Sequence, residues 1–418
     1  MGLVLLLAYI ALNLLSPGEL FTSIAPYRPL MVLALVSLPP AILARLQTPE
    51  IGKLRTQFVL VILFFGYASS SWFPHGWFGG NLITFLEMAP NVMVYFLGIV
   101  FLRGTLHLRL LRATLVMVAL YVMAAAFAQL PYARASGDST PYVLMIEGVL
   151  VRIRGLGVLH DPNVFGQYLL IILPMLFVGK RPTGLGLGYV VALPLAALLI
   201  VGVYFTGSRG TEMGLAVLLG LYLTLRYKKA GAAFSVFVGS ILLVAINFTQ
   251  RRTITMSSGM DRLAIWSDGM QYFKSSPLWG IGAGGFTGRN SMTAHNSYLL
   301  CAAELGILGF FLWMSIVVVT MIQLARVPKV VGPSNPDLAR WAMALRLSLG
   351  VYLFTGFFLS RAYDLPLFLL LGMSGAIITA AGGDDAIPLH GTMWPAWSFG
   401  LCVSTLVLIY AVLRLRMV

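Results

Sequence analysis

Arg209 stands in the stretch YFTGSRGTEMG, residues 204–214, between two long apolar runs. Glycines beside it let backbone N–H groups approach a ligand, and a helix starting there adds its positive end, which suits a phosphate. An arginine this close to a membrane boundary is a functional candidate. The alternative is a snorkelling side chain paired with Glu212. A second cation, Arg262, lies in GMDRLAIWSDGMQYFKSSPLWGIGAGGF, residues 259–286, where Asp261 and Asp268 offer alternative ion-pair partners. A titratable ring, His295, follows in MTAHNSYLLCAAELG, residues 292–306, directly ahead of the apolar run ILGFFLWMSIVVVTMI. An unperturbed imidazole, with a pKa near ~6.5, is a usable general base at neutral pH. The alternative is a hydrogen-bonding residue at a helix start.

The surrounding residues supply further candidates. Asn296 adjoins His295, Arg289 precedes it, and Arg154 belongs to a basic stretch with Arg134 and Arg152. Glu304 sits within the following apolar run, where a carboxylate is costly unless paired or protonated; an orienting role is expected for it. In GLGVLHDPNVFGQ, residues 155–167, Asp161 before Pro162 reads as a helix start, and His160 is a spare candidate. The acids Asp138, Glu147, Asp161, Asp261 and Asp268 are scattered without metal-ligand spacing, which disfavours a magnesium-dependent reaction. Cys301 and Cys402 fall inside apolar runs and give neither a disulfide framework nor a zinc pattern.

These residues must be positioned by membrane helices. Hydrophobic residues make up 59% of the chain and charged residues 10%, against about 25% charged in soluble proteins, and the mean hydropathy is +0.89. The apolar runs are continuous and not alternating, so the spans are helices and not barrel strands. Candidate spans are 2–15, 29–46, 57–72, 84–102, 111–130, 163–179, 186–205, 211–226, 232–248, 296–323, 341–360, 364–381 and 394–413. These give an all-α polytopic bundle of about 12–13 spans, a single membrane domain over 1–418. The N-terminal run MGLVLLLAYIALNLL lacks a basic n-region and is expected to be a retained span.

Lysine and arginine in the short loops orient the bundle. Arg45, Lys53, Arg55, Arg103, Arg109, Arg112, Lys180, Arg181, Arg226, Lys228, Lys229, Arg326, Lys329 and Arg340 mark the cytoplasmic side. The outer side then holds 16–28, 73–83, 131–162, 206–210, 249–295 and 361–363, and so Arg209, Arg262 and His295 together. Its two long loops carry Arg134, Arg152 and Arg154, and Arg251, Arg252, Arg262, Lys274 and Arg289, a basic surface suited to an anionic ligand. The bland alternative is contact with lipid head groups. Leu263, Trp266, Met270 and Phe273 recur at helical spacing, predicting an amphipathic helix along the outer interface. With thirteen spans, Arg414 and Arg416 fall on the outer side, against the charge rule.

Three pieces in this order, TGSRG around Arg209, DRLAIW–SPLWGIGAGGF after Arg262 and AHNSYLLCAAELGILG after His295, resemble the O-antigen ligase superfamily, which also contains O-antigen and exopolysaccharide polymerases. The resemblance runs from about residue 155 to 380, and DPNVFGQ looks like members associated with exopolysaccharide assembly. It implies a GT-C-like membrane glycosyltransferase of lipopolysaccharide or exopolysaccharide biosynthesis in the bacterial inner membrane, with a partly helical periplasmic loop at 249–295. The reaction it implies moves a glycan from undecaprenyl diphosphate to a sugar hydroxyl on lipid A-core or on another lipid-linked glycan, with inversion and without metal or other cofactor. The family's two arginines fall on Arg209 and Arg262 and its histidine on His295. Beside that carry-over, Arg289, Asn296 and Arg154 are expected to contact the substrate together with the two arginines. Donor, acceptor and bilayer are the expected partners; nucleic acid is not. A transporter or flippase of a lipid-linked or anionic solute is the alternative, with a non-catalytic scaffold behind it.

Overall fold

The computed structural model describes residues 1–21, 23, 25–27, 29–48, 52–146, 150–178, 187–249, 257–290 and 292–417. At 20, 25, 150, 187, 231–249, 257–261 and 416–417 the description extends to the backbone alone. Glu147, Lys180, Arg181, Arg251 and Arg252, and the side chains of Asp261 and Arg416, lie outside it.

Helices occupy every predicted span. In chain order they are α1 (Gly2–Leu15), α2 (Pro29–Gln47), α3 (Arg55–Ser69), α4 (Phe78–Phe101), α5 (Thr105–Ser136), α6 (Pro162–Ile172, extended by a 3-10 turn, Leu173–Phe177), α7 (Leu187–Phe205), α8 (Arg209–Thr249), α9 (Ser257–Ser275), the short α10 (Gly285–Arg289), α11 (Ser297–Val331), α12 (Pro336–Gly356), α13 (Leu365–Ala380) and α14 (Trp394–Met417). Eight are long and apolar enough to cross a membrane on their own, among the described residues. α8 turns at Lys228, whose φ of 55° is not helical, so its two halves correspond to two of the predicted spans. A two-stranded antiparallel hairpin, β1 (Val143–Ile146) and β2 (Leu150–Ile153), pairs Leu144 with Arg152. It was not anticipated; its strands are short and lie within a loop whose basic residues dominated the reading.

Helices in lipid associate through close packing, because the surrounding hydrocarbon is as apolar as they are. α13 shows this: its residues from Leu365 to Ile378 are buried, and Gly372 lies so near α4 that a Cβ on Gly98 would stand 3.1 Å from its Cα. The predicted sides also separate. At one end Arg55 pairs with Asp385 at 3.0 Å, Thr56 Oγ1 donates to Asp384 at 2.7 Å, and Arg109 and Arg340 share Asp337. At the other end Ser297 Oγ donates to Leu359 O at 2.6 Å and Arg152 Nε donates to Thr206 O at 2.7 Å. α14 finishes at this second end: Lys274 lies over the Tyr410 ring, and Arg414 Nε donates to the Tyr410 hydroxyl at 2.8 Å. The arginine that offends the charge rule therefore belongs to the end opposite the basic loops, as thirteen spans require.

α9 carries the expected apolar stripe, and part of that stripe packs on protein. Trp266 and Met270 are buried against Leu299 of α11 and Ile409 and Leu413 of α14. The bundle's own last helix offers an apolar surface there, and burying the stripe within protein is the better solution.

α11 is the element that matters most for the site. It is broken at Gly306 (φ 64°), and the segment after α9 fills the break. Ile281 N donates to Ala303 O at 3.0 Å, Gly282 N to Glu304 O at 3.0 Å and Ile307 N to Pro277 O at 2.8 Å. Backbone lies on backbone here: a Cβ on Gly280 would meet Glu304 O at 2.2 Å, and one on Gly306 would meet Leu278 O at 2.3 Å. Both glycines have positive φ. Glu304 accepts from Phe286 N at 3.1 Å and from the Tyr363 hydroxyl, so the carboxylate expected to orient its surroundings clamps this junction. Gly280→Ala combines a left-handed backbone with a backbone clash and should cost at least ~2 kcal/mol, read as a lowered unfolding temperature and faster proteolysis between 276 and 290. Gly288→Ala, whose added Cβ meets nothing within 4 Å, is the neutral control.

Candidate functional site

The turn before α8 is closed by its own polar residues. Ser208 caps the helix, with Thr211 N 3.3 Å from its Oγ and Thr211 Oγ1 donating to it at 2.7 Å. Gly207, at φ 57°, turns the chain, and Gly210 packs so closely that a Cβ would meet Phe358 at 3.1 Å. Arg209 is thus the first residue of α8, exposed at a helix N-terminus.

Arg152, on β2, holds this turn from outside. Its Nε donates to Thr206 O at 2.7 Å and its other branch to Asn163 Oδ1 at 2.9 Å. Asn163 is in turn fixed by Asp161, whose Oδ1 accepts from Asn163 N at 2.6 Å and Nδ2 at 2.9 Å. Asp161 caps α6 as predicted, and the same carboxylate anchors the network behind the arginines.

His295 enters from the third segment. Trp266 Nε1 donates to Ala294 O at 3.0 Å, fixing the chain before it. Asn296 Oδ1 caps α11 by accepting from Tyr298 N and Leu299 N, both at 3.0 Å. Between these anchors His295 is held at φ 47°, a left-handed conformation that costs a non-glycine residue of order 1–3 kcal/mol and is concentrated at functional sites. Asn296 is fully buried, and its Nδ2 has no hydrogen-bond partner among the described residues.

The electrostatics bring these pieces together. Burial pushes the His295 pKa below the ordinary imidazole value; the positive charge of Arg262 lowers it further and Asp161 opposes both. The Arg262 guanidinium is lowered by burial and by Arg209, again opposed by Asp161. Arg152 is lowered by burial first, with Asp161 raising and Arg262 lowering it. Arg209, Arg262, Arg152, Asp161 and His295, from four chain segments, therefore share one field. No ion pair within 4 Å ties Arg209 or Arg262 to an acid among the described residues. Asp268, one expected partner of Arg262, instead accepts from Asn290 Nδ2 at 3.0 Å. The arrangement brings cations and an imidazole whose pKa is depressed into one field.

Other candidates are engaged elsewhere. Arg154, just past the end of β2, donates to Thr140 O at 3.1 Å, in the loop before the hairpin, whereas Arg152, within the strand, reaches the Thr206 turn. Arg289 stacks over Tyr272 at 5.6 Å. His160 is exposed, with Nδ1 2.7 Å from Gly157 O. Arg152 was counted in the basic loop and not singled out. The signal that could have found it is its place inside the short β-prone run LVRI, where strand pairing fixes the direction of a side chain.

No curated protein sequence matches the chain. Residues 194–314 match the family model described as O-antigen ligase; the match spans Arg209, Arg262, His295 and the first part of α11. Over that part, on a bundle of membrane helices, the chain is similar to the O-antigen ligase and polymerase superfamily.

Proposed function

We propose that the chain is an inverting, metal-independent glycosyltransferase of the bacterial inner membrane, with its site on the periplasmic side. It takes a glycan from a polyprenyl diphosphate, undecaprenyl diphosphate in the simplest case, and gives it to a sugar hydroxyl. The acceptor is lipid A-core in a ligase, or the end of another lipid-linked glycan in an O-antigen or exopolysaccharide polymerase. The observation that carries this reading is the shared field of Arg209, Arg262 and His295 at the end of the bundle away from the basic loops.

The chemistry follows from that arrangement. As the bond from the anomeric carbon to the phosphate oxygen breaks, negative charge develops on the departing diphosphate. Guanidinium groups are always charged and fork onto phosphate oxygens, so Arg209 and Arg262 stabilise that charge as a bound metal would elsewhere. The acceptor oxygen attacks the opposite face of the sugar, and its proton passes to His295. Arg152 holds the backbone that presents Arg209, and the Asn296 Nδ2 donor is available to an acceptor hydroxyl beside His295. The lipid tail of the donor accounts for the membrane setting.

With purified protein, a defined lipid-diphosphate glycan and an acceptor, Arg209→Ala and Arg262→Ala are each expected to lower transfer by about 10²–10³-fold. His295→Ala is expected to lower it by about 10²–10⁴-fold. Arg154→Ala and Arg289→Ala should stay near the starting rate, since those side chains serve the loop and the Tyr272 ring. Normal transfer by folded Arg209, Arg262 and His295 variants would dismiss the site.

The pH behaviour follows from the direction of the His295 shift. A base whose pKa is depressed keeps its lone pair down to a lower pH, so the acid limb of transfer should fall below ~6.5. Removing a neighbouring cation relieves the imidazolium, so Arg262→Gln should raise the pH midpoint at which His295 reacts with diethyl pyrocarbonate. Asp161→Asn should move that midpoint the other way.

A further inference from the structure

A cavity of about 1010 Å³ is bounded by the 3-10 extension of α6 and by α7, α8 and α12. Its walls are apolar, including Phe177, Leu219, Met343 and Leu347, and it extends along α8 from Glu212 to Arg226. That interval is about 21 Å of helix axis, two-thirds of a hydrocarbon core of about 30 Å. Its two ends differ in charge. Glu212 lines the end nearer Arg209; Arg112, Arg226 and Arg340 line the other.

The arginine end is under-neutralised among the described residues. Asp337 is shared between Arg109 and Arg340, and Arg340 Nη1 is buried without a partner. Arg112 donates to the neutral carbonyls of Met175 and Val178 at 3.0 and 2.6 Å. Arg226 is exposed and lies over the Tyr227 ring at 5.7 Å. An apolar slot longer than one leaflet, with cations at one mouth, fits an amphiphile whose anionic head sits on the arginines.

We propose that this cavity holds one anionic diacyl phospholipid from the leaflet at the basic-loop end. Its phosphate rests on Arg112, Arg226 and Arg340, and its acyl chains run between α8 and α12. The inference is separate from the transferase reading, since the head-group contacts it names are Arg112, Arg226 and Arg340 and not Arg209 or Arg262.

The test is native mass spectrometry of the full chain in detergent, supplied with equal phosphatidylglycerol and phosphatidylcholine of identical acyl chains. One phosphatidylglycerol should be retained in preference. Arg226→Gln, which removes an exposed side chain with no ion pair among the described residues, should weaken its retention about fivefold, and Arg226→Lys should restore most of it. Ala216→Leu, which narrows the slot, should reduce retention of both lipids, while Arg209→Ala should leave phosphatidylglycerol unchanged. Equal retention of the two lipids would overturn the proposal. So would displacement of phosphatidylglycerol by a polyprenyl diphosphate whose own retention depends on Arg209 and not on Arg226, which would give the cavity to a donor's tail.

Discussion

Guanidinium groups repel one another, and the end of the bundle that carries Arg152, Arg209 and Arg262 is arranged to hold them in one field all the same. The holding is done mostly by neutral groups. Arg152 is bonded to a carbonyl and an amide, and Arg209 is set by the capped, glycine-bounded turn it begins. Asp161 is the acid that the electrostatics of Arg152, Arg262 and His295 have in common, and it is placed behind the cations, engaged with Asn163. A carboxylate in direct contact would spend the cations on an internal pair. Kept slightly apart, it lowers the cost of assembling them while leaving their forks for an anion. Like charges gathered at such cost are more readily understood as a binding device than as scaffolding.

The broken helix solves a related problem of placement. A continuous α11 would bury its start in the same packing that holds the rest of its length. The break at Gly306 separates residues 297–305 from the long apolar remainder and lets the first piece be aimed on its own. It is fixed at its start by Ser297, whose hydroxyl donates to Leu359 O and accepts from Arg361 N at 2.9 Å, and at its end by the loop lying in the break. Interrupted helices also occur in transporters, where the interruption exposes backbone groups to a substrate. Here the backbone of Pro277, Ile281 and Gly282 lies in the break and bonds the groups it frees.

Much of this was legible in the sequence, for identifiable reasons. Long apolar runs and basic short loops are strong signals, and the helices and their two ends follow them closely. The grouping of Arg209, Arg262 and His295 was legible because sidedness alone assigns them to one surface. What could not be read was direction within a loop. Arg152 and Arg154 are indistinguishable by composition and, being two residues apart, by strand period; only the end of β2 at Ile153 separates the one that holds the Arg209 turn from the one bonded to Thr140 O. α9 shows the converse. Its stripe of Leu263, Trp266, Met270 and Phe273 was read correctly as amphipathic, but a stripe does not say whether lipid or protein covers it. The answer, α14, is more than a hundred residues away in the chain.

One consequence joins the cations to the base. In the unliganded site Arg262 is among the causes that keep His295 neutral, which keeps the lone pair available but makes the imidazole a weaker base. On the proposed reading, a donor's diphosphate brings negative charge to Arg209 and Arg262. Part of the repulsion acting on an imidazolium at His295 is then cancelled. Its proton affinity rises when the donor is seated and falls again when the diphosphate leaves. The coupling is reciprocal: the imidazolium formed as the acceptor loses its proton adds a positive charge to the field that steadies the leaving group. Proton transfer and bond breaking thus assist each other through the guanidinium of Arg262, without contact between His295 and the phosphate.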